Sequence, residues 1–287
     1  ADAEEPFFLA VGFYKPHTPY VAPKKYFDLY DLSEITVPRI PEDYWDTLPE
    51  PARKSVTAFK PQIDLPEEMA RKAIHAYYAT ISFVDAQIGR VMDALEDLGL
   101  KEDTIVLFSS DHGYHMGEHG HYQKNTLFEN ADRVPLIISA PGVTQSGRRA
   151  QGFAEMIDFY RTLSDLVGLP PPPDYVKGIS LQPVLRDVSN TVRSNAFTQL
   201  INGYTLRTDN FRITQWRIDD PDNLELYDRR RDPEEMRNVA RNPDYEQELE
   251  YLLKVLKGRI ADATARPIGL DFTLPDSSDR GVQKTYD

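Results

Sequence analysis

Two carboxylates, four imidazoles and three glycines crowd into residues 111–121: Asp111, His112, Gly113, His115, Gly117, Glu118, His119, Gly120 and His121. Carboxylate oxygens suit a hard cation, imidazoles suit transition metals, and both can carry a proton during catalysis. Asp111 fits a cation ligand; its plainer reading is a loop-capping aspartate. His112, His115, His119 and His121 are enough imidazoles for a catalytic zinc. Against zinc stand the glycines, which break the i, i+4 helical register that would aim His115 and His119 at one ion. The better reading has Glu118 and His119 holding the loop while His115 lines a substrate pocket. Lys124 follows, and taken alone a lysine in a polar stretch is a solvated surface charge.

The elements that must position this loop flank it. Ile105 to Phe108 is a continuous β-branched and aromatic run, which reads as a strand buried on both faces. It stops at Ser109, just before the loop, and in open α/β sheets ligands bind beyond the carboxyl ends of the strands. Residues 7–13 and 134–139 read as further strands of the same kind. A middle strand as the first element implies that earlier strands and helices are missing, so the chain is expected to be the later portion of a larger protein. Residues 14–66, rich in proline, tyrosine and charge, read as an ordered surface excursion. Apolar residues at 3- and 4-residue spacing from Ile74 to Leu98 predict a long amphipathic helix over 67–98, ended by Gly99. A further helix is predicted over 153–167, with His75 a packing residue on the long one.

After Gly168 and the prolines at 170–173 the pattern changes. Residues 196–227 alternate like antiparallel strands, with a hairpin turning at Asp209-Asn210. Residues 224–227 add a strand and 244–260 an amphipathic helix, and 261–287 reads as an aperiodic tail. The fold class is therefore α/β: a mostly parallel central sheet with flanking helices, incomplete in this chain, over 1–190. A small C-terminal α+β subdomain with an antiparallel sheet fills 191–287. The formal net charge of −13 argues against nucleic acid as a partner. An anionic substrate must then be drawn by a local basic cluster. There is no cysteine, hence no disulfide or Cys-ligated zinc, and no apolar run near the roughly 18 residues of a membrane span.

Four stretches resemble the sulfatases of the alkaline-phosphatase superfamily, iduronate-2-sulfatase-like enzymes in particular. They are residues 6–19 with Lys15-Pro16-His17, residues 110–120 with Asp111-His112-Gly113, residues 134–142, and Leu224-Glu-Leu-Tyr-Asp228 with Asp232-Pro-Glu-Glu235. The Asp-His-Gly loop is shared across the superfamily; Lys-Pro-His after an apolar strand discriminates better. The resemblance implies hydrolysis of sulfate esters of sulfated, glycosaminoglycan-type sugars. It makes Asp111 and His112 ligands of one Ca2+ ion, with contact to a sulfate oxygen the alternative for His112. It makes Lys124 and His17 catalytic, binding sulfate or acting near the leaving group, and their crevice is expected to be shared with Asp111. The family's nucleophile, a formylglycine made from Cys or Ser in Cys/Ser-x-Pro-x-Arg, has no counterpart among the serines here. The implied partner is an N-terminal portion of the same enzyme, and the implied localisation is exported: periplasmic, secreted or lysosomal. The competing readings are a non-catalytic anion-binding remnant and a phosphodiesterase or phosphonate hydrolase of the same superfamily.

Overall fold

Prolines and tyrosines shape the first stretch, and helix formers take over after residue 66. The computed structural model describes residues 5–58, 63–218 and 220–265. Helices α1 (Lys24–Phe27), α2 (Tyr44–Thr47), α3 (Glu50–Thr57) and α4 (Glu67–Asp97) precede the first strand. Glu67 and Glu68 at the start of α4 favour the positive end of its dipole. They also pair with Arg71 and Lys72 one turn on. Gly99, with φ of +69°, ends it. The 14–66 excursion packs on α4 through rings, Tyr26 on Phe83 and Phe27 on His75. His75 Nε2 also meets the carbonyls of Phe27 and Tyr30 at 3.1 and 3.0 Å, the packing role its position implied.

Strand β1 (Val106–Ser109) precedes helix α5 (Glu129–Asp132) and strand β2 (Leu136–Ser139). The strands pair antiparallel, Val106 opposite Ser139 and Ser109 opposite Leu136. The α/β class stands, but the parallel pairing expected of these two strands does not. Length does not decide the direction: residues 110–135 would suffice for a parallel crossover, which is usually a helix, but their only α-helix is the four-residue α5. Residues 7–13 form no strand with any described residue, and Phe8 is 86% exposed. Burial on both faces is also absent at β2, where Ile137 is 61% exposed.

Helices α6 (Asp158–Leu166) and α7 (Gln182–Arg186) lead to the C-terminal sheet. The buried Asp158 ties this region together, accepting from Glu155 N, Ile179 N and Arg193 Nε at 2.8–2.9 Å. Strands β3 (Ala196–Leu200), β4 (Gly203–Arg207), β5 (Phe211–Trp216) and β6 (Leu224–Asp228) form an antiparallel sheet in that order. Helix α8 (Glu246–Thr264) covers one face: Leu206, Ile213 and Leu226 pack on Leu252, Leu256 and Ile260. The other face, offset by one residue as strand alternation requires, presents Trp216 and Tyr227. These pack on Tyr44, Leu48, Ala52 and Val56 of the α2–α3 region and on Leu127 and Phe128. Glu225 lies within this layer, accepting from Trp216 Nε1 and Tyr227 Oη, each at 2.6 Å. Burial pushes its carboxyl up to about 7. The predicted hairpin is thus present, and its core is shared with residues before 190. The predicted tail begins as helix through Thr264; residues 266–287 lie outside the described residues.

Candidate functional site

β1 delivers the chain to a tight loop. The Ser110 hydroxyl donates to the His112 carbonyl at 3.0 Å, and the Asp111 carboxylate accepts the His112 N–H at 3.1 Å. The Asp111 side chain is otherwise open, 85% exposed. His112 Nδ1 lies 2.8 Å from the Gly113 carbonyl. A carbonyl can only accept, so Nδ1 donates this bond; Nε2 lies 3.4 Å from Asp111 Oδ2. Such a carbonyl partner is the usual support of a metal-binding imidazole. Asp111 Oδ2 and His112 Nε2 form a two-donor edge that fits a cation. Among the described residues no group of three or more His, Asp or Glu side chains is placed to hold an ion.

Asp111, His112 and Lys124 line one open cleft. Basic side chains outnumber acidic ones along it, Arg133, Arg148, Arg149 and Arg207 among them, although the chain carries −13 overall. Lys124 is half-buried there, and its ammonium has no hydrogen-bond or ion-pair partner among the described residues. His17 is not among the lining residues. It sits in a turn in which its N–H donates to Tyr14 O at 3.1 Å, its Nδ1 donates to Thr18 O at 2.7 Å, and its ring packs 4.7 Å from that of Tyr14. The strand that was to carry His17 to a common sheet edge does not form. What joins the turn to the loop is Tyr20, whose hydroxyl donates to that of Tyr114 at 2.9 Å; Tyr77 stacks on Tyr114, centroids 5.4 Å apart. No spacing in the sequence links these three tyrosines.

His115 does not line the cleft. It is fully buried, with Nε2 2.7 Å from Thr126 Oγ1. His119 and His121 are buried beside it, ring centroids 5.4 and 5.3 Å from His115. Burial, then the neighbouring imidazoles, holds His115 well below the usual histidine range. Burial holds His119 down to about 3 and His121 down to about 4. Among the described residues the three rings are not placed as one ion's ligand set. His119 stacks on Phe128 at 3.8 Å and meets Tyr44 Oη through Nδ1 at 2.6 Å. Glu118 accepts the Met116 N–H at 2.7 Å. Both hold the loop, as their positions implied. Gly117, with φ of +116°, adopts a conformation open to glycine and costly to other residues.

A family model named Sulfatase matches residues 1–169, and a model for the C-terminal region of N-sulphoglucosamine sulphohydrolase matches residues 117–262. The chain belongs to the sulfatase family. It is 37% identical to iduronate 2-sulfatase of Mus musculus over 207 residues, 58% of this chain and 37% of that protein. It is 32% identical to a sulfatase of Formosa agariphila over 88% of this chain and 50% of that one. Its fold is similar to the phosphonate monoester hydrolase of Agrobacterium radiobacter, with a TM-score of 0.77 and 27% identity over 91% of this chain and 58% of that one. The chain thus spans half or less of the length of these two curated relatives.

Proposed function

We propose that this chain supplies the sulfate-binding and metal-contacting portion of a calcium-dependent sulfatase acting on sulfated, glycosaminoglycan-type sugars. The observation that carries the reading is the unpaired, half-buried Lys124 in a cleft shared with Asp111 and His112. An unpaired cation lining a cleft favours an anionic group there. Lys124 Nζ would neutralise a sulfate oxygen as charge develops. Asp111 Oδ2 and His112 Nε2 would hold Ca2+, which when bound polarises the ester's sulfate. His17, with Nδ1 committed to Thr18, would offer Nε2 to the sulfate or to the leaving alcohol. The formylglycine nucleophile would come from an N-terminal portion, which would also cover the exposed residues 7–13 and Ile137. Export to a periplasm, the exterior or a lysosome follows the family. No helix among the described residues is long and apolar enough to cross a membrane.

A phosphonate or phosphodiester hydrolase is the second reading, favoured by the likeness to the Agrobacterium enzyme. One set of measurements on the whole protein separates the readings. A sulfatase contains calcium, carries formylglycine by mass spectrometry and releases sulfate from an aryl sulfate. Zinc or manganese with faster cleavage of a phosphonate ester would replace it with the second reading. An intact, folded protein with neither activity is an anion-binding remnant.

A further inference from the structure

We propose that Arg212, far from the cation edge in sequence and on the C-terminal sheet, is the positioning residue for the Asp111–His112 loop and acts through helix α5; this rests on the sulfatase reading of that loop. Arg212 is 1% exposed. Its guanidinium donates from Nη2 to Glu129 Oε2 and from Nη1 to Asp132 Oδ2, both at 2.7 Å, and from Nε to Glu235 Oε1 at 2.8 Å. Nη1 also reaches the Leu127 carbonyl at 3.3 Å. One planar fork therefore grips the residue that opens α5, the residue that closes it and the approach to it.

Helix α5 is only four residues long, and a single turn gains too little from its own hydrogen bonds to hold its place. Its position is set by these ties. Glu235 adds another, its Oε2 accepting the Glu129 N–H at 2.9 Å. Glu235 itself sits at φ of +60°, which a non-glycine residue adopts at a cost. On its far side α5 holds the loop: the Gly113 N–H donates to the Ala131 carbonyl at 2.7 Å. Gly113 lies so close that a Cβ there would stand 2.0 Å from Asn130 O. The residue after His112 is thus pressed against backbone that Arg212 locates.

The test uses the whole protein. Arg212→Lys keeps the charge and loses the fork, and Asp132→Ala removes one arm of it should the lysine variant fold poorly. Leu256→Ala, in the core under α8, is the control for general destabilisation. Two properties are read at matched distance below each variant's Tm: amide exchange over 110–116 by mass spectrometry, and calcium affinity by calorimetry. Both arginine-network variants should speed exchange at Gly113 and weaken calcium binding by about 10-fold or more, the usual cost of losing a ligand's support. Leu256→Ala should do neither. Equal exchange in the network and control variants, or fast exchange with wild-type calcium affinity, overturns the proposal. Gly113 exchange needs neither metal nor substrate, so it is readable even if the wild-type protein binds no calcium, the result that would instead sink the sulfatase reading.

Discussion

At the scale of single residues, Lys124 carries the sharpest expectation. Its ammonium is unpaired within the described residues, so removing it strands no partner and should leave folding intact. On the sulfatase reading, Lys124→Ala in the whole protein should raise KM and lower kcat together, because ground and transition states would both carry the sulfate charge. A combined loss in kcat/KM on the order of 10²–10³ is in line with losing one oriented charge-stabilising group. Wild-type kinetics in that variant would remove Lys124 from the site. The buried imidazoles set a different expectation, for pH. Unfolded histidines bind protons near pH 6.5, whereas folding holds His119 to about 3 and His121 to about 4. The unfolded chain thus holds more protons across that window, and stability contributed by the neutral rings is present above it and lost as pH falls. Burial raises Asp132 and Glu225 to about 7, which acts with the opposite sign. The clean measurement is therefore a difference. Between pH 7 and 5, His121→Gln should lose less Tm than the wild type, and parallel curves would show that the ring is not buried neutral. Residue type and family motif single out Asp111, His112 and Lys124, and the three line one cleft. His115 was misplaced because glycines bend a loop without saying which way it faces. Here Phe128 and Tyr44 supply an apolar floor that draws the rings inward.

Among elements, the contact between the Gly113 loop and α5 is the most exacting. Gly113→Ala must move backbone, because the atom it would strike is a carbonyl oxygen rather than a side chain. Overpacking of this kind typically costs about 1–3 kcal/mol. Calorimetric unfolding should show that loss, together with lower calcium affinity; unchanged values would mean the loop is slack. Periodicity revealed α4 and α8 because each buries one face; the β4–β5 hairpin is buried on both faces and was marked by its Asp209-Asn210 turn. Direction was another matter. An apolar run such as 105–108 or 134–139 carries no arrow, so β1 and β2 could be recognised as strands and still be paired the wrong way. Residues 7–13 have strand composition, but a strand also needs a partner, and no described residue provides one.

For the molecule as a whole, residues 1–287 alone should release no sulfate from an aryl sulfate, because none of its serines stands in the family's nucleophile motif. Turnover by the isolated chain would overturn that. Phe7, Phe8, Leu9 and Ile137 are exposed apolar side chains, and clustered apolar exposure of this kind recruits a partner or self-associates. Sedimentation of the isolated chain should therefore show species larger than a monomer, in spite of its −13 charge; a clean monomer at high concentration would argue that this surface is not sticky. The seam between the C-terminal sheet and the α2–α3 region has one more property. Trp216 stands in it with its indole N–H on the Glu225 carboxyl, and the chain has only one other tryptophan. Replacing Trp45 with phenylalanine would leave a solitary tryptophan whose colour and brightness, excited selectively over the tyrosines, report that seam. Its emission should step near pH 7 as Glu225 gains or loses its proton, and shift to the red when the sheet parts from the helices. The protein would then carry its own optical gauge of whether its two halves are joined.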